Sequence, residues 1–509
     1  MELPPGPAHL LHLFPYFVIP SAVSWAFLKL LGNYVLHALP SWLIILISIL
    51  SRPILLFVQM KYSNWMDRKA AAAHGAVLAP VMEESPLAII SEFVAAFDGY
   101  PGDVMLRWSK KYGNSVQFSL LTNTTLSTIE PEHVKAILST QFDAFEKGPL
   151  LISQIRSLLG TGVFNSDGMF HRAITRPFFT RERISDFQIY ERMCEPSFAE
   201  AKKRLAEGYP VDFQDLTARF TLDSSTAFLF GSSVDSLAAG IPYPQWDAKK
   251  NPPSFYNHPS NKFVSAFSEG LALAAFRLGR GGEWPLFEFL KDKIIPFRKI
   301  IDDFTEPLLR EALAKREIES AVDKSHTDAE EDTLLAHLIK QTQAGRDSVM
   351  CLLSYSLYMV LEHPDVEKRL RQEIFEKIGP TGIPTYEQIR EMKYMRAFLN
   401  ALKFDPDRFL DQRLHKYLSQ NPYIFCPFNA GPRVCLGQQF AYNEASFYLV
   451  RLLQQFTHFT LDKSANTPPH IAWASEAGLK SKEQIHPMSH LTMSIKGGLW
   501  VRMNEFNDN

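Results

Sequence analysis

Cysteine is scarce: four residues in 509 (Cys194, Cys351, Cys426 and Cys435), with no CxxC pair among them. That excludes a disulfide scaffold and a four-cysteine zinc site, and it points to a reducing compartment. Basic excess is lacking too. Lys and Arg number 53 against 55 Asp and Glu, a formal net charge of −2, which argues against a nucleic-acid binder held by phosphate contacts. At 46% apolar and 21% charged the chain is globular rather than disordered. Its 38 Phe suit a large apolar core or an apolar ligand pocket, two explanations that composition does not separate.

The most telling absence is charge in the first 60 residues, where Glu2, Lys29 and Arg52 are the only Asp, Glu, Lys or Arg. Residues 3–28 and 30–51 are uncharged runs of 26 and 22 residues, and an apolar helix of about 20 residues crosses the hydrocarbon layer. The second run, with Tyr34–Leu50 at its centre, is the stronger candidate. The first carries Pro15 and Pro20 and is expected to be kinked, re-entrant or interfacial. A cleaved signal peptide fits poorly, because the apolar stretch is too long and no small-residue cleavage site follows. Lys61, Arg68 and Lys69 after the second run place the body of the protein on the cytoplasmic side. Residues 1–60 therefore read as a membrane anchor of one or two spans.

Residues 61–509 read as one mainly α domain with small β-sheets at its edge. Ala70–Leu87 is a linker, Val104–Tyr112 a helix, and the Thr-rich segments 115–121 and 124–129 a β-hairpin. Helical patterns follow at 132–139, 169–179, 215–230, 264–278, 285–315, 332–362 and 438–456, with a surface loop at 240–261 and a charged connector at 316–331. Short strands are expected at 459–462 and 491–503, and no internal repeat is present.

Chemistry concentrates in Phe428-Asn-Ala-Gly431-Pro-Arg433-Val-Cys435-Leu-Gly437, directly ahead of a helical run. A lone cysteine is usually only a small apolar residue. This one sits where a helix N-terminus favours the thiolate. Gly431 and Gly437 permit close backbone approach, Gly437 suiting a tight turn into the helix, and Arg433 reaches a carboxylate from the same loop. These are the parts needed to offer a thiolate to a haem iron and to hold a propionate.

The stretch FxxGxRxCxG resembles the cysteine-ligand loop of the cytochrome P-450 haem-thiolate monooxygenases at all five fixed positions. Thr175-Arg-Pro-Phe-Phe179 and Phe404-Asp-Pro-Asp-Arg-Phe409 are similar to fungal members, a group that includes alkane and fatty-acid hydroxylases. The resemblance implies the family's helical prism and haem b, with Cys435 as the axial ligand of the iron. It puts Phe428 near the thiolate and Arg433 on one propionate. Arg172, from Met169-Phe-His171-Arg172, would hold a propionate from a second helix. In Ala344-Gly-Arg-Asp347-Ser348 it assigns proton delivery to Asp347 and Ser348, Ser standing for the usual Thr. It implies NADPH-driven insertion of one oxygen atom of O2 into a C–H bond of an apolar substrate (long-chain alkane, fatty acid or aromatic xenobiotic). Electrons would come from NADPH–cytochrome P-450 reductase at the endoplasmic reticulum membrane, with the haem domain on the cytoplasmic side. By the same analogy residues 150–164 line the substrate.

The pattern departs from the family at three places. Arg408 belongs to a Glu–Arg–Arg network whose ExxR should follow Asn400, yet Asn400 runs straight into Ala401-Leu-Lys-Phe404; Glu387-Gln-Ile-Arg390 matches the letters in the wrong place. The helix over the haem lacks turns at 343/344, and Gly168 stands where the family has Trp. Internal deletions near 168, 343/344 and 400/401 account for all three. A buried Arg408 without its Glu would cost several kcal/mol. The alternative to a working enzyme is therefore an impaired or inactive membrane-anchored remnant from a truncated gene model or splice form. Haem-thiolate peroxide chemistry without a reductase is a second enzyme reading.

Overall fold

The computed structural model describes residues 3–34, 40–120, 123–160, 165, 176–320, 346–401, 405–476 and 478–506. Its contacts divide into two units, residues 1–89, 108–127 and 280–293 forming the first and residues 90–107, 128–279 and 294–509 the second.

In the first unit α1 (Pro5–Tyr34) and α2 (Ser41–Ala73) pack on each other. Both are long and apolar enough to cross a membrane. They leave Leu11, Phe14, Phe27, Trp42, Ile49 and Phe57 exposed, which a water-soluble helix pair would not do. The helix runs unbroken through Pro15 and Pro20, where a kink, re-entry or interfacial segment was expected. Each proline forfeits one backbone bond, a loss that a packed neighbouring helix tolerates. α2 extends well past the apolar run, because Lys61–Ala73 is rich in good helix formers, so the linker begins at His74 rather than Ala70. The hairpin is present as β1 (Ser115–Leu120) and β2 (Asn123–Thr128), with the Ser119 and Thr124 hydroxyls 3.2 Å apart.

The second unit is built from α3 (Gln188–Ala206), β3 (Val211–Asp212), α4 (Phe213–Phe230), α5 (Pro259–Gly279), α6 (Ile295–Ser320), α7 (346–362), α8 (Pro364–Lys377), α9 (Lys393–Leu399) and α10 (Gln438–Gln455). Four short strands complete it: β4 (Phe456–Leu461), β5 (Pro487–Ser489), β6 (Met493–Ile495) and β7 (Trp500–Glu505). The mainly α class with small sheets is thus observed. α10 buries Ala445, Phe447, Tyr448, Leu449, Val450 and Leu452, and a helix apolar on nearly all sides must be central. Tyr448 meets Phe220 of α4 at 4.4 Å and Phe198 of α3 at 5.0 Å, while its hydroxyl lies 2.9 Å from Ser197 Oγ. Leu353 and Leu357 of α7 and Leu370 of α8 join the same cluster. Each buried side chain of this size contributes about 1.5–3 kcal/mol. A second cluster joins α5, α6 and the helix Gly148–Leu159 through a Phe263–Phe304 stack at 4.2 Å.

The sheet order is β3–β7–β4, all antiparallel, with Val211 opposite Val501 and Leu461 opposite Val501. β3 and β5 are too short to leave a sequence signal. The strand expected over 491–503 is two, β6 and β7, separated at Gly497 and Gly498, whose φ of 77° and 90° only glycine takes easily. The helix expected over 285–315 is interrupted: Trp284–Phe287 is one turn, and α6 begins at Ile295 because Pro296 cannot continue a helix from its N-terminal side. Glu288 closes the gap by accepting from the Lys293 N–H at 2.9 Å. The loop expected over 240–261 holds two short helical turns. The connector at 316–331 is helical through Ser320, its remainder lying outside the described residues. So do 169–175 and 332–345 of the expected helices.

Candidate functional site

The Cys435 loop is closed by its own backbone. Cys435 N–H donates to the Phe428 carbonyl at 2.8 Å, Asn429 N–H to Cys426 at 3.1 Å and Val434 N–H to Gly431 at 3.1 Å. Asn429 and Gly431 both take left-handed backbone, φ 60° and 55°. Gly431 is also required by space, since a Cβ there would overlap the Leu138 carbonyl and come within 2.9 Å of Ser139 Cα. Gly437 is different. It lies in the expected tight turn into the helix, closed by Gln438 N–H on the Cys435 carbonyl at 3.4 Å, but its φ of −83° is open to any residue. An added Cβ would lie 3.9 Å from Cys435 Sγ and 3.6 Å from Phe179. The glycine thus leaves one face of the sulfur uncovered. Cys435 is exposed, three residues ahead of Gln438 at the start of α10, and none of the four cysteines is in a disulfide.

Phe428 packs its ring on Tyr442 of α10 at 5.1 Å. Arg433 donates from Nη2 to the Phe145 carbonyl and lies 5.0 Å over the Phe142 ring, so its guanidinium is already engaged on the 142–145 turn. His171 and Arg172 lie outside the described residues.

Asp347 and Ser348 open α7. Asp347 is 5% exposed and its Oδ1 sits 3.2 Å from Nη1 of Arg346, itself 4% exposed. Burial pushes the Asp347 carboxyl up, and the Arg346 charge pulls it back. Arg346 Nε donates to the Ala218 carbonyl of α4 at 3.2 Å. Ser348, next along the helix, is exposed. Arg346 and Asp347 line a cleft of about 310 Å³ with Asp212, Asp215, Met350 and His490. No residue of the Cys435 loop is among the residues that line this cleft.

Arg408 is half-buried and lies 4.9 Å over the Phe409 ring, in no ion pair among the described residues. Its neighbour Asp407 is paired instead with Arg369 at 2.7 Å. The cost expected of a fully buried unpaired arginine is thus reduced by its partial exposure. Glu387 and Arg390 are both exposed on the helix Tyr386–Glu391, as a chance match to ExxR should be.

Several buried acids escaped the sequence reading, among them Asp212 and Glu444. Asp212 caps α4, accepting from the N–H groups of Gln214, Asp215 and Leu499 at 3.0–3.2 Å, and burial moves its carboxyl up to about 7. Glu444 on α10 is fully buried, bonded to the Ser224 hydroxyl through Oε1, with no partner for Oε2, and burial pushes it up to about 8. An acid inside the apolar run 440–453 was the available signal.

The family model of cytochrome P450 matches residues 84–400 and 396–487. The chain belongs to the cytochrome P450 family. It is a cytochrome P450 monooxygenase by membership, and fungal relatives are similar to it throughout. Cytochrome P450 52A9 of Candida maltosa is 29% identical, over 76% of this chain and 83% of that protein. Cytochrome P450 monooxygenase pvhE of Talaromyces variabilis is 27% identical, over 67% and 76%. With cytochrome P450 52A4 of Candida maltosa the identity is 27% over 86% of this chain and 94% of the relative. That alignment runs over 533 positions, whereas 86% of 509 residues is about 438, so about 95 of its positions have no residue here.

Proposed function

We propose that this chain is a membrane-anchored haem-thiolate monooxygenase that hydroxylates an apolar molecule such as a long-chain alkane or fatty acid. One oxygen atom of O2 enters the C–H bond and the other leaves as water, two electrons coming from NADPH through a membrane-bound reductase and two protons from solvent. The site is the endoplasmic reticulum membrane with the haem domain, residues 61–509, on the cytoplasmic side. The observation that carries the reading is the Cys435 loop, a rigid turn presenting an exposed sulfur ahead of a long helix with no side chain at Gly437 to cover it.

The donor set at Cys435 fits haem. When bound, haem supplies the oxygen chemistry, tuned by its thiolate ligand. Cys435 would ligate through Sγ, its negative charge favoured by the unpaired N–H groups at the start of α10. The Phe428–Cys435 backbone bond fixes the height of the sulfur, and the Phe428 ring closes the side toward Tyr442. Arg433 would exchange the Phe145 carbonyl for a propionate, with Arg172 and His171 assigned to the other. Proton delivery would fall to Asp347, with the Ser348 hydroxyl next to it along the helix.

A specific observation favours the second reading, a polypeptide that binds haem poorly or not at all. Arg408 is in no ion pair among the described residues, the family match restarts at residue 396, and about 95 positions of the alignment with one relative have no residue here. A reduced-plus-CO spectrum of the full chain in membranes separates the two. The enzyme reading expects the red-shifted Soret band of thiolate-bound haem, abolished by Cys435→Ser. No band in the wild type supports the remnant, and a band surviving in C435S sinks the ligand assignment.

A further inference from the structure

The main-chain bonds of the Cys435 loop give it a shape, and its setting against α10 depends on side chains as well. One edge is held from outside: Gly431 lies against Leu138 and Ser139, and Arg433 is engaged on the 142–145 turn. The other edge carries Phe428. Its carbonyl receives the Cys435 N–H at 2.8 Å, and its ring meets Tyr442 at 5.1 Å. A loop pinned along one edge can pivot about it, so the Phe428 edge decides where the sulfur stands over the start of α10.

Tyr442 lies just over one turn into α10 and is 6% exposed. A closed path therefore runs from Cys435 into α10 as far as Tyr442, across the ring contact to Phe428, and back through the Phe428–Cys435 backbone bond. The tyrosine is also held at its far end. Its hydroxyl donates to Oδ1 of Asn400, the residue that ends α9. Asn400 Nδ2 donates to the Arg396 carbonyl at 2.7 Å, which leaves the amide oxygen for the tyrosine. The Arg396 guanidinium lies 4.9 Å over the Tyr442 ring. α9 is a firm base for these contacts, since Met395, Ala397, Phe398 and Leu399 are all buried.

Packing alone would be served by phenylalanine at 442. The hydroxyl adds a directional bond at the far end of the ring, which stops the ring from swinging about its root. We infer that Tyr442 is a positioning residue for the Cys435 thiolate: bonded to Asn400, it fixes the Phe428 ring and with it the carbonyl that holds the Cys435 N–H. α9 reaches the loop by this route although the ExxR expected after Asn400 is absent from the sequence. Groups that hold a metal's ligand from outside orient it and tune the metal. The inference takes Cys435 as the ligand, as proposed above, while the brace itself is built from protein groups alone.

The test is hydrogen exchange, read by mass spectrometry on the full chain in detergent micelles, beside the reduced-plus-CO spectrum. Tyr442→Phe keeps the ring and removes the donor. A hydrogen bond of ordinary net strength shifts a two-state balance by about twofold to tenfold. Exchange in the 428–437 peptide should quicken by that factor, with α4 unchanged. Asn400→Leu should do the same, and the double variant Y442F/N400L should do no more than either. In the haem-loaded chain Y442F should also shift the CO band. Unchanged exchange in both single variants, or effects that add in the double, overturn the brace. Equal quickening in α4 reduces Tyr442 to general packing and overturns it too. Faster exchange with an unmoved band overturns the step from loop to sulfur. A wild type with no band overturns the haem reading instead, and the exchange rates alone then decide the brace.

Discussion

Around Cys435 the backbone bonds close within a dozen residues, whereas Asp347 is paired with Arg346, which is anchored on Ala218 more than a hundred residues away. Cys435 bonds Phe428 and Val434 bonds Gly431 through the main chain, so the loop needs little from the rest of the fold beyond the surface at Leu138 and Ser139. Asp347 owes its burial to α4 and to the strands about His490, and its nearest charge, Arg346, is anchored on Ala218. A self-closed loop tolerates loss of distant segments, and a site assembled from several elements does not. Loss of distant segments would thus disturb the proton-handling segment more than the thiolate loop.

The sharpest way to break that contrast is at the buried pair. Asp347→Ala leaves Arg346 charged in an enclosed site and should cost about 3–5 kcal/mol in chemical denaturation of the full chain. Replacing both partners by apolar residues (R346M with D347L) should recover most of the loss. If D347A costs nothing measurable, the segment is not held in the way described. Cys435→Ser in the same assay should leave stability within about 0.5 kcal/mol while removing the CO band.

Glu444 tests the ground between the two regions, since it lies on the helix that follows the loop and bonds Ser224 on the helix that anchors Arg346. Its carboxyl ionises near 8 in the folded chain against 4.5 ordinarily, because burial penalises the charge. The raised folded value means the proton is held more tightly by the native state. That contribution to stability is whole below about pH 4.5 and is lost as pH rises through about 8, a change of a few kcal/mol. Glu444→Gln should flatten this slope and be the more stable protein at pH 8.5. Parallel curves for the two proteins would show that Glu444 ionises normally.

The same distinction explains what was legible in the sequence. The thiolate loop was readable because its geometry is local, and the anchor because lipid demands long uncharged runs, which α1 and α2 supply. α10 was readable as the helical run that directly follows that loop. β3 was not: its two residues acquire strand geometry only by pairing with Trp500 and Val501, almost 290 residues on. The break before α6 was missed because Pro296 and Glu288, whose side chain closes the gap by accepting from Lys293 N–H, both fall inside an otherwise helical pattern. Asp347 was readable as a motif member, but its burial in a cleft with Asp212 and His490 depends on tertiary packing. His171 and Arg172 lie outside the described residues and leave that part of the reading where the sequence put it.

Within the loop two glycines make the finest comparison. At Gly431 an alanine meets both a left-handed φ of 55° and the Leu138 carbonyl, so G431A should cost about 1–3 kcal/mol and lower haem loading in step. Gly437 has ordinary backbone and room for a methyl group, so G437A should move stability by less than about 0.5 kcal/mol. Its effect belongs elsewhere. The new Cβ would stand 3.9 Å from Cys435 Sγ on the face left open, where it would crowd whatever the sulfur ligates. The expected signature is a shifted or weakened reduced-plus-CO band at unchanged stability. An unchanged spectrum would mean that the open face at Gly437 is not the one the sulfur uses.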